Sequence, residues 1–175
     1  MATIAIDNEH ELREALRFTV DDLAANREGR LSERQHTQLE TGRRRGALLG
    51  GLFVVAFDLV AALLLFLALA NGSAILNALG VATVICSAFL VGILVRNWQR
   101  VTADMQDDAV ETVQGTLERI VKKIGRANVF VLRIGGQDIA VSEAVFRSFL
   151  HQTPYALHRS PRSKVLLSAE QMEAE

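Results

Sequence analysis

The sequence predicts an α+β membrane protein: a helical N-terminal arm, a two-helix transmembrane hairpin, and a small C-terminal antiparallel β-barrel, OB-like or SH3-like. Three observations carry this reading. Half of the 175 residues are apolar, and they concentrate in the middle third of the chain; mean hydropathy is +0.21. Two runs there, 47–70 and 74–95, each exceed the roughly 20 residues a helix needs to cross a bilayer core. Beyond residue 112, short β-branched runs alternate with turn signals. The expected organisation is an arm over 1–45, a hairpin over 46–97, a juxtamembrane connector over 98–112, and a β-domain with its tail over 113–175.

The arm, from about Glu9 to Gly42, reads as two short helices. In FTVDDLAANREG, Thr19 is an N-cap, Asp21 and Asp22 supply acids to the first turn, and Gly29 is a C-terminal stop. LSERQHTQLE restarts with Ser32 as cap. The interval has the outline of a calcium loop, with Gly29 at the turn and Asn26, Glu28, Leu31 and Ser32 in ligand positions. However, Ala24 stands where the first ligating Asp belongs, and Gln35 where the bidentate Glu belongs. A capped helix-turn-helix is the stronger reading, and the sequence calls for no metal and no cofactor.

The two spans carry polar groups only singly, whereas a helix in a soluble core keeps a polar stripe. The first begins after more than forty residues, most of them polar or charged, which is unlike a cleaved signal peptide. Arg43, Arg44 and Arg45 precede the first span; Arg96 and Arg100 follow the second, with Trp98 as an interfacial anchor. The connector NGS is uncharged. This asymmetry predicts both termini on the cytoplasmic side of a bacterial inner membrane, with Asn71, Gly72 and Ser73 as a tight turn on the far side. The lone Cys86 lies inside the second span and excludes a disulfide framework.

Near the centre of the first span stands Asp58. A carboxyl group there costs about 2.5–3.5 kcal/mol on insertion scales, so a compensating contact is expected. Its helix face is shared with Gly51, Val55, Ala61, Ala62 and Leu65, mainly small side chains that allow close approach. The second span offers Ala74, Ala78, Ala82 and Cys86 at four-residue intervals, with Thr83 and Ser87 at the depth of Asp58. A hydrogen bond from Thr83, Cys86 or Ser87 to Asp58 is the leading expectation, either across the hairpin or with bonding to a neighbouring copy. A proton- or cation-carrying site in an oligomeric pore is the second reading, since two helices alone enclose no pathway. Simple tolerance is the third.

In the last third, VQGTLERIV, NVFVLRI, QDIAV, YALHRS and KVLLS read as strands, separated by GRAN, GG and SPRS. SEAVFRSFL reads as one short helix capped by Ser142, with Val145, Phe146, Phe149 and Leu150 on one face. The order is β-β-β-α-β-β. Val110 to Ile124 also has helical spacing, but Gly115 and the strand-rich surroundings favour strand from about Val113. About sixty residues give a thin core, which needs help from outside the domain.

Catalysis has little support in the residue pattern. His10, His36, His151 and His158 lack metal-ligand spacing and a neighbouring nucleophile, and RIGGQ is a hairpin turn. A basic patch, Arg159, Arg162 and Lys164 with Tyr155 close by, suits lipid or protein contact, a solvated hairpin tip being the plainer reading. Phe130, Phe146 and Phe149 are expected in the core, leaving no stacking platform for nucleic acid.

DLAANREGRLSERQ, an arginine cluster, a two-span hairpin and a β-domain ending SPRSKVLLSAEQ together resemble a group of uncharacterised bacterial two-span membrane proteins. In layout the chain is also similar to the NfeD-like membrane proteins, which place an OB-type domain after transmembrane helices and act as scaffolds. The resemblance implies an integral membrane assembly or scaffold protein. Its partners would be membrane lipids and further copies or other membrane proteins; the alternative is a subunit of a small homo-oligomeric channel or transporter.

Overall fold

The computed structural model describes residues 2–172, with side chains from Glu9 onward. In chain order the elements are α1 (Ala2–Leu16), α2 (Val20–Arg27), α3 (Glu33–Asn71), α4 (Ala74–Asp107), β1 (Glu111–Ile124), β2 (Ala127–Ile134), β3 (Gln137–Val141), α5 (Glu143–Ser148), β4 (Thr153–Arg159) and β5 (Leu166–Gln171). They form two compact units, Met1–His36 with Asp107–Glu175, and Thr37–Gln106.

In the first unit five antiparallel strands, ordered β3-β2-β1-β4-β5, curl into a half-barrel. The expected β-β-β-α-β-β order holds, and the helical alternative for 110–124 gives way to the fourteen-residue β1. Its first half, Glu111 to Leu117, pairs with β4, and its second, Glu118 to Ile124, with β2. Gly115 sits before this change of partner at φ +152, a conformation that favours glycine. The β2–β3 turn places Gly135 and Gly136 at φ +54 and +74, the geometry of a tight two-residue hairpin. The barrel does not close: β3 and β5 remain edges.

An open half-barrel leaves its concave face uncovered, and the arm fills it. Leu12 of α1, Phe18 and Leu23 join Val113, Leu117, Leu132, Ile134, Phe149, Tyr155 and Leu157 in one core. The arm as far as His36 is therefore part of the sheet unit, and its last residues from Thr37 belong to the hairpin unit, where the sequence reading made 1–45 a domain of its own. The thin core expected for the strands explains why. α1 was not anticipated at all. The second arm helix is also not separate: with no proline between Glu33 and Asn71, it runs on as α3.

The second unit is a helical hairpin. Its turn matches expectation, with Gly72 at φ +62, Ser73 N–H donating to the Ala68 carbonyl at 3.1 Å, and the Ser73 hydroxyl accepting from Leu76 N–H at 3.4 Å. The seam follows steps of three and four residues: Leu76, Gly80, Thr83, Ser87, Leu90 and Leu94 on α4 face Gly50, Val54, Ala61, Leu65 and Ala68 on α3. Two glycines act as sockets. A Cβ on Gly80 would stand 2.7 Å from the Leu65 side chain, and one on Gly50 2.5 Å from Leu94. Both helices are long and apolar enough to cross a membrane, and only 11% of each apolar window is buried.

Candidate functional site

Asp58 does not sit in the seam. It lies beside it on the exposed flank of α3, and among the described residues it has no hydrogen-bond or ion-pair partner. The expected bond across the hairpin is not made. Thr83 Oγ1 donates instead to the Leu79 carbonyl at 2.8 Å, Ser87 is buried in the seam, and Cys86 is exposed. The cause is angular: four-residue steps drift about 40° around a helix at each repeat. Ala74, Ala78, Ala82 and Cys86 therefore rotate onto the outer surface, while the three-four pattern stays in contact. Of the face predicted around Asp58, Ala61 is buried and Gly51 and Leu65 are half-buried, but Val55 and Ala62 are exposed.

The arginine cluster divides. Arg43 lies over the Trp98 ring, 4.4 Å from its centroid, and donates to Thr102 Oγ1 at 2.8 Å. This clasp joins α3 to α4, and a cation–π contact of this kind contributes about 0.5–2 kcal/mol. Arg44 pairs with Glu40 at 2.6 Å; Arg45, Arg96 and Arg100 are exposed.

The basic patch read from the sequence divides: Tyr155 and Arg159 are buried, whereas Arg162 and Lys164 stay exposed and ion-paired. Tyr155 is 0% exposed, edge-on to Phe149, and its hydroxyl accepts from Leu150 N–H at 3.2 Å. Arg159, 3% exposed, donates to both oxygens of Glu111 at 3.1 and 3.3 Å and to Gln137. Lys164 reaches Glu111 at 2.8 Å, and Arg162 reaches Asp107 at 2.7 Å. Hydrogen bonds from Arg159 and then Lys164 hold the Glu111 carboxyl below its usual range. Arg159 and Lys164 thus form an ion cluster with Glu111 at the base of β1 and β4, and Arg162 and Lys164 lie on the surface with their charges paired. Phe130, Phe146 and Phe149 belong to the core or pack on it, Phe130 and Phe146 with centroids 5.1 Å apart.

The motif DLAANREGRLSERQ proves to be a fastener. Thr19 and Asp22 form a reciprocal capping box. The Asp22 carboxylate also accepts from the Ser32 hydroxyl and, at 3.4 Å, from Arg34. Asn26 Nδ2 donates to Ser168 Oγ of β5 at 2.6 Å, both residues fully buried. Arg27 grips Glu170, its Nε at 3.0 Å. Gly29, at φ +78, accepts at its carbonyl from Val110 N–H at 2.9 Å. Leu31 N–H donates to Asp108 at 3.1 Å, and Gln35 Nε2 approaches the Leu167 carbonyl at 3.5 Å. Of the residues that outlined a calcium loop, Asn26, Ser32 and Gln35 serve as caps and ties, while Glu28 pairs with Arg30 at the surface.

One buried imidazole completes this ring. His158 Nδ1 lies 2.9 Å from Thr112 Oγ1, and Nε2 lies 3.5 Å from Glu170 without a hydrogen bond. Burial pushes His158 below the usual imidazole range, partly opposed by Glu170. Two other histidines in the sheet unit are also ties: His151 Nδ1 accepts from Arg119 N–H at 3.1 Å, and His36 lies 3.2 Å from Asp108; His10 is exposed on α1.

No family model matches the chain, and no curated protein matches it.

Proposed function

We propose that the chain is an integral membrane assembly component of the bacterial inner membrane, both termini cytoplasmic, presenting the half-barrel as a scaffold and associating with further copies or other membrane proteins through the outer faces of its hairpin. The observation that carries this reading is Asp58 standing exposed, and without a partner among the described residues, in the otherwise apolar stretch 47–70 of α3. A carboxyl group facing lipid is unfavourable by about 2.5–3.5 kcal/mol, and a protein surface that hydrogen-bonds it removes that cost. The exposed small residues Ala78 and Ala82 suit close helix approach. In the half-barrel, His151, His158, Arg159, Glu111 and Glu170 are engaged in holding the fold, which favours a binding module over an enzyme. The strand order, the helix between β3 and β4, and the shared β1 favour the OB-type reading over the SH3-like one.

Asp58 exposure also suits the second reading, a homo-oligomeric channel or transporter subunit. Asp58→Asn separates the two, because the amide keeps hydrogen-bonding capacity and loses the ionisable group. A scaffold keeps both assembly and its cellular role; a channel keeps assembly and loses proton or cation flux in reconstituted vesicles. Resistance of the chain to alkaline extraction tests insertion itself. Release into the supernatant would refute the membrane reading.

A further inference from the structure

The patch at 155–164 is paired off, but another cationic surface is left open. Between Glu118 and Asp138 the chain carries Arg119, Lys122, Lys123, Arg126 and Arg133 and no acid, so residues 119–138 hold a net charge of +4 in a chain whose total is -1. These residues lie on the β1–β2 hairpin, whose distal half pairs within itself and not with β4. Arg119 is turned back to the Phe149 carbonyl, and Asp138 takes Arg133 and Lys122, each at 2.7 Å. Lys123 and Arg126 at the tip have no carboxylate partner among the described residues. Beside them Val121 is 53% exposed and Ile124 65% exposed.

We infer that this tip, residues 121–126, docks on anionic lipid headgroups. Lys123 and Arg126 meet the headgroup phosphates, and Ile124 and Val121 enter the boundary beneath them. A nucleic acid would need exposed rings for stacking; the tip has none, and the nearby Phe130 packs against the core. The inference rests on the membrane reading above. Only about ten residues of chain separate the sheet unit from either apolar run, so lipid is present at high effective concentration.

The test uses the full chain in nanodiscs, with Cys86→Ala and a nitroxide on Ile124→Cys. Its accessibility to a water-soluble relaxation agent is compared in phosphatidylcholine discs and in discs with one third phosphatidylglycerol. The expected result is protection in anionic discs alone, reversed by high salt. Each Lys or Arg at an anionic surface contributes about 1 kcal/mol, or about five-fold in the docked population. Lys123→Gln with Arg126→Gln should therefore reduce docking about 30-fold without touching any contact inside the sheet. Equal accessibility in both discs overturns the inference and leaves the membrane reading standing. Protection by added single-stranded RNA or an acidic peptide in phosphatidylcholine discs, with none from anionic lipid, overturns it in favour of that partner. A chain that does not incorporate into discs refutes the membrane reading, and this inference with it.

Discussion

Replacing Asn26 with alanine removes the donor to Ser168 Oγ, a bond of 2.6 Å between two residues that are both 0% exposed. The serine oxygen is then left buried without its partner, which costs about 1–3 kcal/mol; about 2 kcal/mol is the working value. At roughly 4–8 °C per kcal/mol for a domain of about a hundred residues, the melting temperature of the sheet unit should fall by roughly 8–16 °C. The only tyrosine in the chain, Tyr155, lies in this core, so its near-ultraviolet dichroism follows the unit while the long helices stay folded in nanodiscs. Ser168→Ala should cost a comparable amount, because it leaves the buried Asn26 amide with neither its nitrogen nor its oxygen bonded. In the double variant both partners are gone, and the loss should be about 1 kcal/mol smaller than the sum of the singles. A shift under 2 °C for Asn26→Ala, or strict additivity, would refute the claim that this bond ties the arm to the sheet.

Other consequences follow from the same geometry. Gly80→Val should split the helix seam against Leu65 at a cost of about 1–3 kcal/mol, read as a longer spin-label distance across the hairpin; Leu65→Ala should restore it. His158 has its pKa lowered from an ordinary 6.5 by burial. The unfolded chain therefore binds the proton first, and stability should decline as pH falls below about 6.5. His158→Gln should flatten that slope in melts from pH 7 to 5. Glu111 is held below its ordinary 4.5 by Arg159 and Lys164, so its contribution is present above that value and lost as pH falls beneath it. Glu111→Gln should weaken that acid limb.

The broad plan was legible because its signals are local. Apolar length marks α3 and α4, paired glycines mark the β2–β3 turn, and Thr19, Ser32 and Ser142 announce helix starts. Partner choice was not, because it depends on chain brought together from afar. Asn26 and Ser168 are separated by 142 positions, and no local pattern says that one will meet the other. The pairing of Arg159, Arg162 and Lys164 was not legible because their acids, Glu111 and Asp107, come from β1 and the end of α4. The seam was misplaced for a different reason. Alanines at four-residue intervals resemble a packing stripe, but the alternating three-four positions, with Gly80 and Gly50 as sockets, stay in contact over many turns. Val121 and Arg126 were read as strand and turn; only the handover of β1 from β4 to β2 after Leu117 shows that the β1–β2 end is paired within itself.

Native mass spectrometry of the full chain released from nanodiscs tests the assembly claim most directly, with wild type, Asp58→Asn and Ala78→Phe/Ala82→Phe measured side by side. The account predicts an assembly for wild type, of further copies or with a co-purified membrane protein, unchanged by Asp58→Asn and dissociated by the bulky pair. A wild-type chain that is monomeric at every protein-to-lipid ratio and carries no other membrane protein, indistinguishable from both variants, would contradict it.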